Sequence, residues 1–291
     1  MSDTHTFDAF IGQAWTDHAG DAAGVAERIA TQGLALVGTA AQIGPLAMLA
    51  HHVYGEHLGQ WAAGRAMLDR LASHGAIDAA GIGAVRRCQA SLDLCTGGAM
   101  PVDMNASDRI RVAALAAGNL AERDTPRAMA LFEQALAEAA AAALPDTDPM
   151  NRNLAIAGNN LACTMEEKPQ RSAAERELMI RAAQAARHHW AIAGTWLETE
   201  RAEYRLAMTW LQAGDLAQAR RHAHECGAIV QANQGAALER FFAGEALGVV
   251  ERAAGNAGGH QQALAQAREA FAALDEGDRA WCQASLDKLA A

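Results

Sequence analysis

The sequence predicts an all-α protein, an α-α superhelix of antiparallel helix hairpins stacked side by side, and three observations predict it. Apolar residues recur at helical spacing through most of the 291 positions, and the breaks between runs are short and rich in Gly, Asp or Pro. Alanine is the commonest residue, Pro occurs only 6 times, and Val, Ile, Thr, Tyr and Phe are sparse, so local propensity favours helix almost everywhere and a substantial sheet is not expected. Third, a pattern of Leu-small pairs and alanines recurs along the chain, the mark of a repeat architecture.

In chain order, the first helix is expected over 4–19, and Gly20-Asp21 ends it and caps the next, over 21–38. Helices over 44–58, 60–74 and 78–95 follow. Residues 96–106 are the least regular stretch, with Gly97-Gly98, Pro101 and Asn105 close together, and are read as a break or hinge. This divides the chain into degenerate helical hairpins over 1–95 and clearer repeats over 107–291.

Beyond it come helices over 106–122 and 125–143, the latter with Pro126 in its first turn, where a missing donor costs little. Pro145-Asp146-Thr147-Asp148-Pro149 reads as an ordinary connection to helices over 149–166, 171–190 and 192–213. Gly214-Asp215 repeats the stop-and-cap device before 215–232, and 236–254, 258–275 and 277–290 complete the set, with Gly255 to Gly259 as a connection. No Pro follows Pro169, which suits an unbroken helical stack.

The repeat is clearest from Tyr204 to Ala219: Leu206-Ala207, an aromatic at Trp210, Gly214-Asp215, then Ala219 in the second helix, with Cys226 at a small-residue position. Small residues let two antiparallel helices approach while a large one from each fills the seam. Leu115-Ala116, Asp124, Ala128, Phe132, Ala135 and Leu136 form a second copy, and weaker copies start at Leu161-Ala162, Leu247-Gly248 and Leu49-Ala50. This pattern resembles the tetratricopeptide repeat family over about residues 107–275. Its Leu-small pairs are 46, 45 and 41 residues apart, so it is similar to the longer-repeat members. The hexapeptide Cys88 to Asp93 recurs unchanged as Cys282 to Asp287, which suggests equivalent packing positions, with the last helix capping the stack.

Formal charge is -10 with no concentration of Lys or Arg, which argues against nucleic acid as a partner. Lysine occurs only at Lys168 and Lys288, so almost all positive charge is guanidinium, suited to forked recognition of carboxylates. Met1-Ser2-Asp3-Thr4-His5 does not start a leader and no segment has 18 consecutive apolar residues, so a cytoplasmic protein with no membrane partner is expected. Cys88, Cys95, Cys163, Cys226 and Cys282 are an odd set with no CxxC and read as small, buried thiols.

The family resemblance implies a partner-binding groove. Some tetratricopeptide proteins hold a partner's C-terminal carboxylates through an Asn and two basic residues, which map to Asn160, Arg201 and Arg205. Two further contacts of that clamp fall on Ala113 and Ala117, so it is incomplete, and Glu198, Glu200 and Glu203 could neutralise the arginines within one helix. By the repeat's geometry Tyr204, Met208, Phe242 and Glu245 would line the same concave face. Trp190, Trp196 and Trp210 cluster nearby and are read as core.

His222 and Cys226 share a helix face as two metal ligands would, but a site needs three or four and no other is placed beside them. His51, His52, His57, His188 and His189 read as surface or groove residues, and Glu166-Glu167 as solvated. No phosphate loop, GxSxG or HExxH occurs, so neither a cofactor nor an enzyme is expected. The expected function is an adaptor that receives a peptide or partner helix, through an acidic or C-terminal carboxylate group; a ligand-sensing regulatory domain is the alternative.

Overall fold

A computed structural model describes residues 6–291, which form helices and connections with no strand among them. Met1 to His5, read above for the lack of a leader, and the start of the helix expected over 4–19 lie outside the described residues. The chain forms two compact units, the first ending at Leu144 and the second running from Pro145 to Ala291. The connection over 96–105 lies inside the first unit, and Arg127 fastens it by donating to the carbonyls of Leu94 (2.9 Å) and Cys95 (3.3 Å) beside it.

The first unit contains α1 (Phe7–Asp17), α2 (Ala22–Arg28), α3 (Ile43–His51), α4 (Trp61–Ala72), α5 (Ala79–Cys95), α6 (Ala106–Leu120) and α7 (Thr125–Ala141). Asp21 caps α2, its carboxylate accepting from the amide of Gly24 at 2.9 Å. Where continuous helices are expected over 21–38 and 44–58, α2 and α3 each widen into a π turn, over Ile29–Gly33 and His52–His57. The core around α2, α3, α4 and α5 is built on Val25, Ile29, Ile43, Leu46, Leu49, Leu68 and Leu71, all fully buried.

His51 is 1% exposed and not a surface residue. Its Nε2 lies 2.9 Å from Ser91 Oγ, and the Asn119 amide donates to it at 3.0 Å. Accepting from the Asn119 amide requires an unprotonated Nε2, and burial lowers the imidazole's pKa to about 4.

The second unit contains α8 (Pro149–Glu166), α9 (Ala173–Ala193), α10 (Trp196–Ala213), α11 (Leu216–Ala232), α12 (Ala237–Ala253), α13 (Ala257–Ala272) and α14 (Glu276–Ala290). Each helix packs on the next, and α8, α10, α12 and α14 also touch in succession, forming a row that α9, α11 and α13 back. Gly214 ends α10 in the left-handed conformation (φ 85°), and Asp215 caps α11 with a 3.0 Å bond from Gln218 N.

Small residues stand where the hairpins cross. Leu206, Ala207 and Ala219 are buried at the α10–α11 seam. At the α8–α9 crossing a Cβ added to Gly158 would stand 2.6 Å from the carbonyl of Ala182, and at α12–α13 one added to Gly244 would stand 3.0 Å from the amide of Ala267. Both obstacles are backbone and cannot rotate away. Gly158→Ala is therefore expected to lower stability by about 2 kcal/mol despite its gain in helix propensity, read as a lower urea midpoint.

The duplicated hexapeptide is equivalent only in part. Cys88 and Cys282 are both buried, but Leu92 is buried in α5 whereas Leu286 in α14 is half-exposed, since α14 closes the row and has one neighbouring layer. All five cysteines are free thiols, four buried and Cys163 half-buried. No helix among the described residues is long and apolar enough to cross a membrane.

Candidate functional site

The predicted groove residues fall on the row α8, α10 and α12, where α10 is tied to its neighbours by polar side chains. Its apolar stripe, Ala202, Leu206 and Ala207, is buried, and the residues between face sideways onto α8, α9, α11 and α12.

Arg205 is half-buried and pairs with Glu166 of α8, which Thr209 also reaches with its hydroxyl. Glu166 is thus packed into the seam, not solvated. Burial pushes its carboxyl up, and the Arg205 guanidinium opposes that shift. Arg201 donates to Glu239 of α12 at 3.2 Å but keeps 60% of its side chain exposed. The arginines are therefore neutralised from α8 and α12, not by the acidic residues of α10 itself. Asn160 is exposed and receives only a 3.4 Å bond from Asn159.

The acidic residues of α10 have other partners. Glu203 is buried between Arg187 of α9 and His222 of α11, whose Nδ1 donates to it at 2.6 Å. Burial alone would raise its pKa, but those two bonds outweigh it and hold the carboxyl below its ordinary range. Glu200, 1% exposed, accepts from the Cys226 thiol at 3.0 Å. Burial drives the Glu200 carboxyl and the Cys226 thiol both upward. His222 and Cys226 therefore point at different carboxylates and do not converge on a common point.

Tyr204 donates to Glu245 at 3.0 Å. Its ring meets Phe242 of α12 edge-on at 5.8 Å, and Phe242 meets Trp281 of α14 at 5.2 Å. Met208 joins the half-buried apolar side chains around Ala207 and Ala246. A ladder Tyr204–Phe242–Trp281 thus crosses three helices of the row and ends in a Trp that is 66% exposed. Trp281 is the residue that sequence reasoning missed: it lies outside the recognised repeats, and only the packing of α14 places it beside Phe242.

Trp190, Trp196 and Trp210 are all half-buried, and Arg152 stacks over Trp190 at 5.2 Å. His189 is buried, not a groove residue, and donates from Nδ1 to Asn151 at 2.9 Å. Behind the row, an open cleft between α11, α12 and α13 is lined by amides, among them Gln231, Gln234, Gln262 and Gln266. No family model matches the chain, and the searches of curated proteins and of solved structures returned no match either.

Proposed function

We propose that this chain is a tetratricopeptide-like binding module, not an enzyme, and that the row formed by α8, α10, α12 and α14 receives an extended peptide or helix of a protein partner. The observation that carries this reading is the aromatic ladder from Tyr204 through Phe242 to Trp281, with its outer end 66% exposed. A large aromatic left open to water at the end of a packed stack is a ready anchor, because its underside is already held in place and little freedom is lost on binding. Arg201 supplies the charge beside it: its exposed guanidinium retains donors beyond its single bond to Glu239. The partner would then offer an apolar side chain to the ladder and a carboxylate to Arg201, in a cytoplasmic setting.

Selection of a random-peptide library displayed on phage against the purified chain tests this. Enriched peptides should carry an apolar residue near an acidic one or a free C-terminus, and should bind Trp281→Ala about tenfold or more weakly. Trp281 is 66% exposed, so the variant is expected to keep its fold. No enrichment, or peptides that bind Trp281→Ala and Arg201→Ala as well as the parent, would count against the proposal.

A further inference from the structure

Three histidines of the first unit bring ring nitrogens together. His18 caps the C-terminus of α1, while His52 and His57 open and close the π turn that follows α3. One ligand-capable nitrogen of each lies within 4.8 Å of the others, and the Nε2 atoms of His52 and His57 are 3.1 Å apart. The ring centroids stand 4.7 to 5.0 Å from one another.

The π turn makes this possible. In a regular α-helix, residues five apart are rotated by about 140° and their side chains diverge. Here the chain closes an i to i+5 hydrogen bond, Leu58 N–H to the Val53 carbonyl at 3.1 Å. The wider turn brings positions five apart towards one face, so His52 and His57 meet, and α1 delivers His18 to the same place. Widened turns of this kind recur at functional sites because they re-aim side chains at a cost in helix stability.

Two hydrogen bonds settle which nitrogens are bare. His18 Nδ1 lies 2.6 Å from the Trp15 carbonyl, and His52 Nδ1 lies 2.9 Å from the Glu56 carboxylate. Both partners only accept, so each Nδ1 carries the proton, and in the neutral rings each Nε2 presents a lone pair. A carbonyl or carboxylate behind the far nitrogen is also how metal-bound imidazoles are oriented. The plainer explanation is a stack of surface rings around Trp15, which packs on His18 and His52 at 5.3 and 5.1 Å. Stacking accounts for ring contact but does not require a ligand-capable nitrogen of each ring to lie within 4.8 Å of the others; a proton on His57 Nε2 can satisfy His52, whereas one cation can bind all three rings.

We propose that His18, His52 and His57 form a binding site for a divalent transition metal of the zinc class. Imidazole nitrogens favour such ions over Ca²⁺ or Mg²⁺, which take oxygen ligands. Tetrahedral zinc at about 2.0–2.1 Å from each nitrogen sets ligands roughly 3.3 Å apart, within reach of small rotations here. His57 is exposed and the other two half-buried, so the fourth position opens to water. A bound ion would tie the end of α1 to the turn after α3.

The test uses the untagged full chain, since a polyhistidine tag would itself take up metal. Zn²⁺ is titrated in competition with a chromogenic chelator, and Co²⁺ is added as a spectroscopic probe. One ion per chain is expected, with His18→Gln, His52→Gln and His57→Gln each weakening uptake about tenfold or more. His188→Gln, an exposed histidine of the second unit, should leave it unchanged. Co²⁺ should show the visible bands of a four- or five-coordinate site, lost in His18→Gln. His57 is solvent-exposed, so His57→Gln reports on ligation even if another substitution disturbs the fold. Absence of stoichiometric uptake by the parent, or uptake indifferent to His57→Gln, overturns the proposal.

Discussion

Arg205→Ala is expected to destabilise the second unit by about 3–5 kcal/mol, because it removes one partner of an ion pair that the α8–α10 seam encloses. The carboxylate of Glu166 has only 10% of its side chain exposed, and its remaining partner, the Thr209 hydroxyl, cannot balance a charge. Burial already pushes this carboxyl up. Without the guanidinium its folded-state pKa rises further above that of the unfolded chain. A raised carboxyl pKa contributes stability below the unfolded value and loses it as pH rises through the folded one, so the deficit should be larger at about pH 8 than at about pH 5. Urea unfolding at the two pH values measures this. Combining Arg205→Met with Glu166→Gln should recover most of the loss, and additive losses in the double variant would show that the pairing contributes little.

A practical consequence concerns binding studies. Lost capture of a peptide by Arg205→Ala would mix a folding defect with a missing contact. Arg201 is the residue with which to probe carboxylate recognition, since most of its side chain stands in water.

Acidification is expected to weaken the second unit through His189 by about 2–3 kcal/mol between about pH 7.5 and about pH 4.5. Burial, helped by the neighbouring His188 and Arg181 side chains, lowers its pKa from 6.5 to about 4. The Asn151 carbonyl that accepts from Nδ1 is held in that orientation by a 3.1 Å bond from its own amide to the carbonyl of Asp146. Between the two pKa values the unfolded chain binds a proton that the folded one does not, so stability rises with pH across that window and falls on acidification. His189→Gln keeps a polar group without the titration. The parent's loss in urea midpoint over this range should exceed the variant's by the stated amount, and equal losses would remove His189 as the cause. His51 contributes with the same sign from the first unit, so the parent's own slope is steeper than the difference.

The helices were legible in the sequence because helix formation is local. Spacing of apolar residues, Gly-Asp breaks and Pro126 mark α7, α8 and α11 to within a few residues. The buried crossing at Leu206, Ala207 and Ala219 was legible for the same reason: a small residue at a fixed offset records how near the neighbouring helix must come. Partnerships between side chains left no such trace. Arg205 meets Glu166, 39 positions away, in preference to Glu200 and Glu203 of its own helix, because α8 lies against that face and those two turn towards α9 and α11.

The histidines show the same division. An assumed α-helical period sends His52 and His57 apart, and nothing near either residue announces the π turn that brings them together. The chain's local chemistry determined where it is helical and which faces must be buried, since those depend on residues within a turn or two of each other. Tertiary packing alone decided which charges are paired, which aromatic is left open at Trp281, and which histidine nitrogens converge, because each depends on contacts between helices far apart in the sequence.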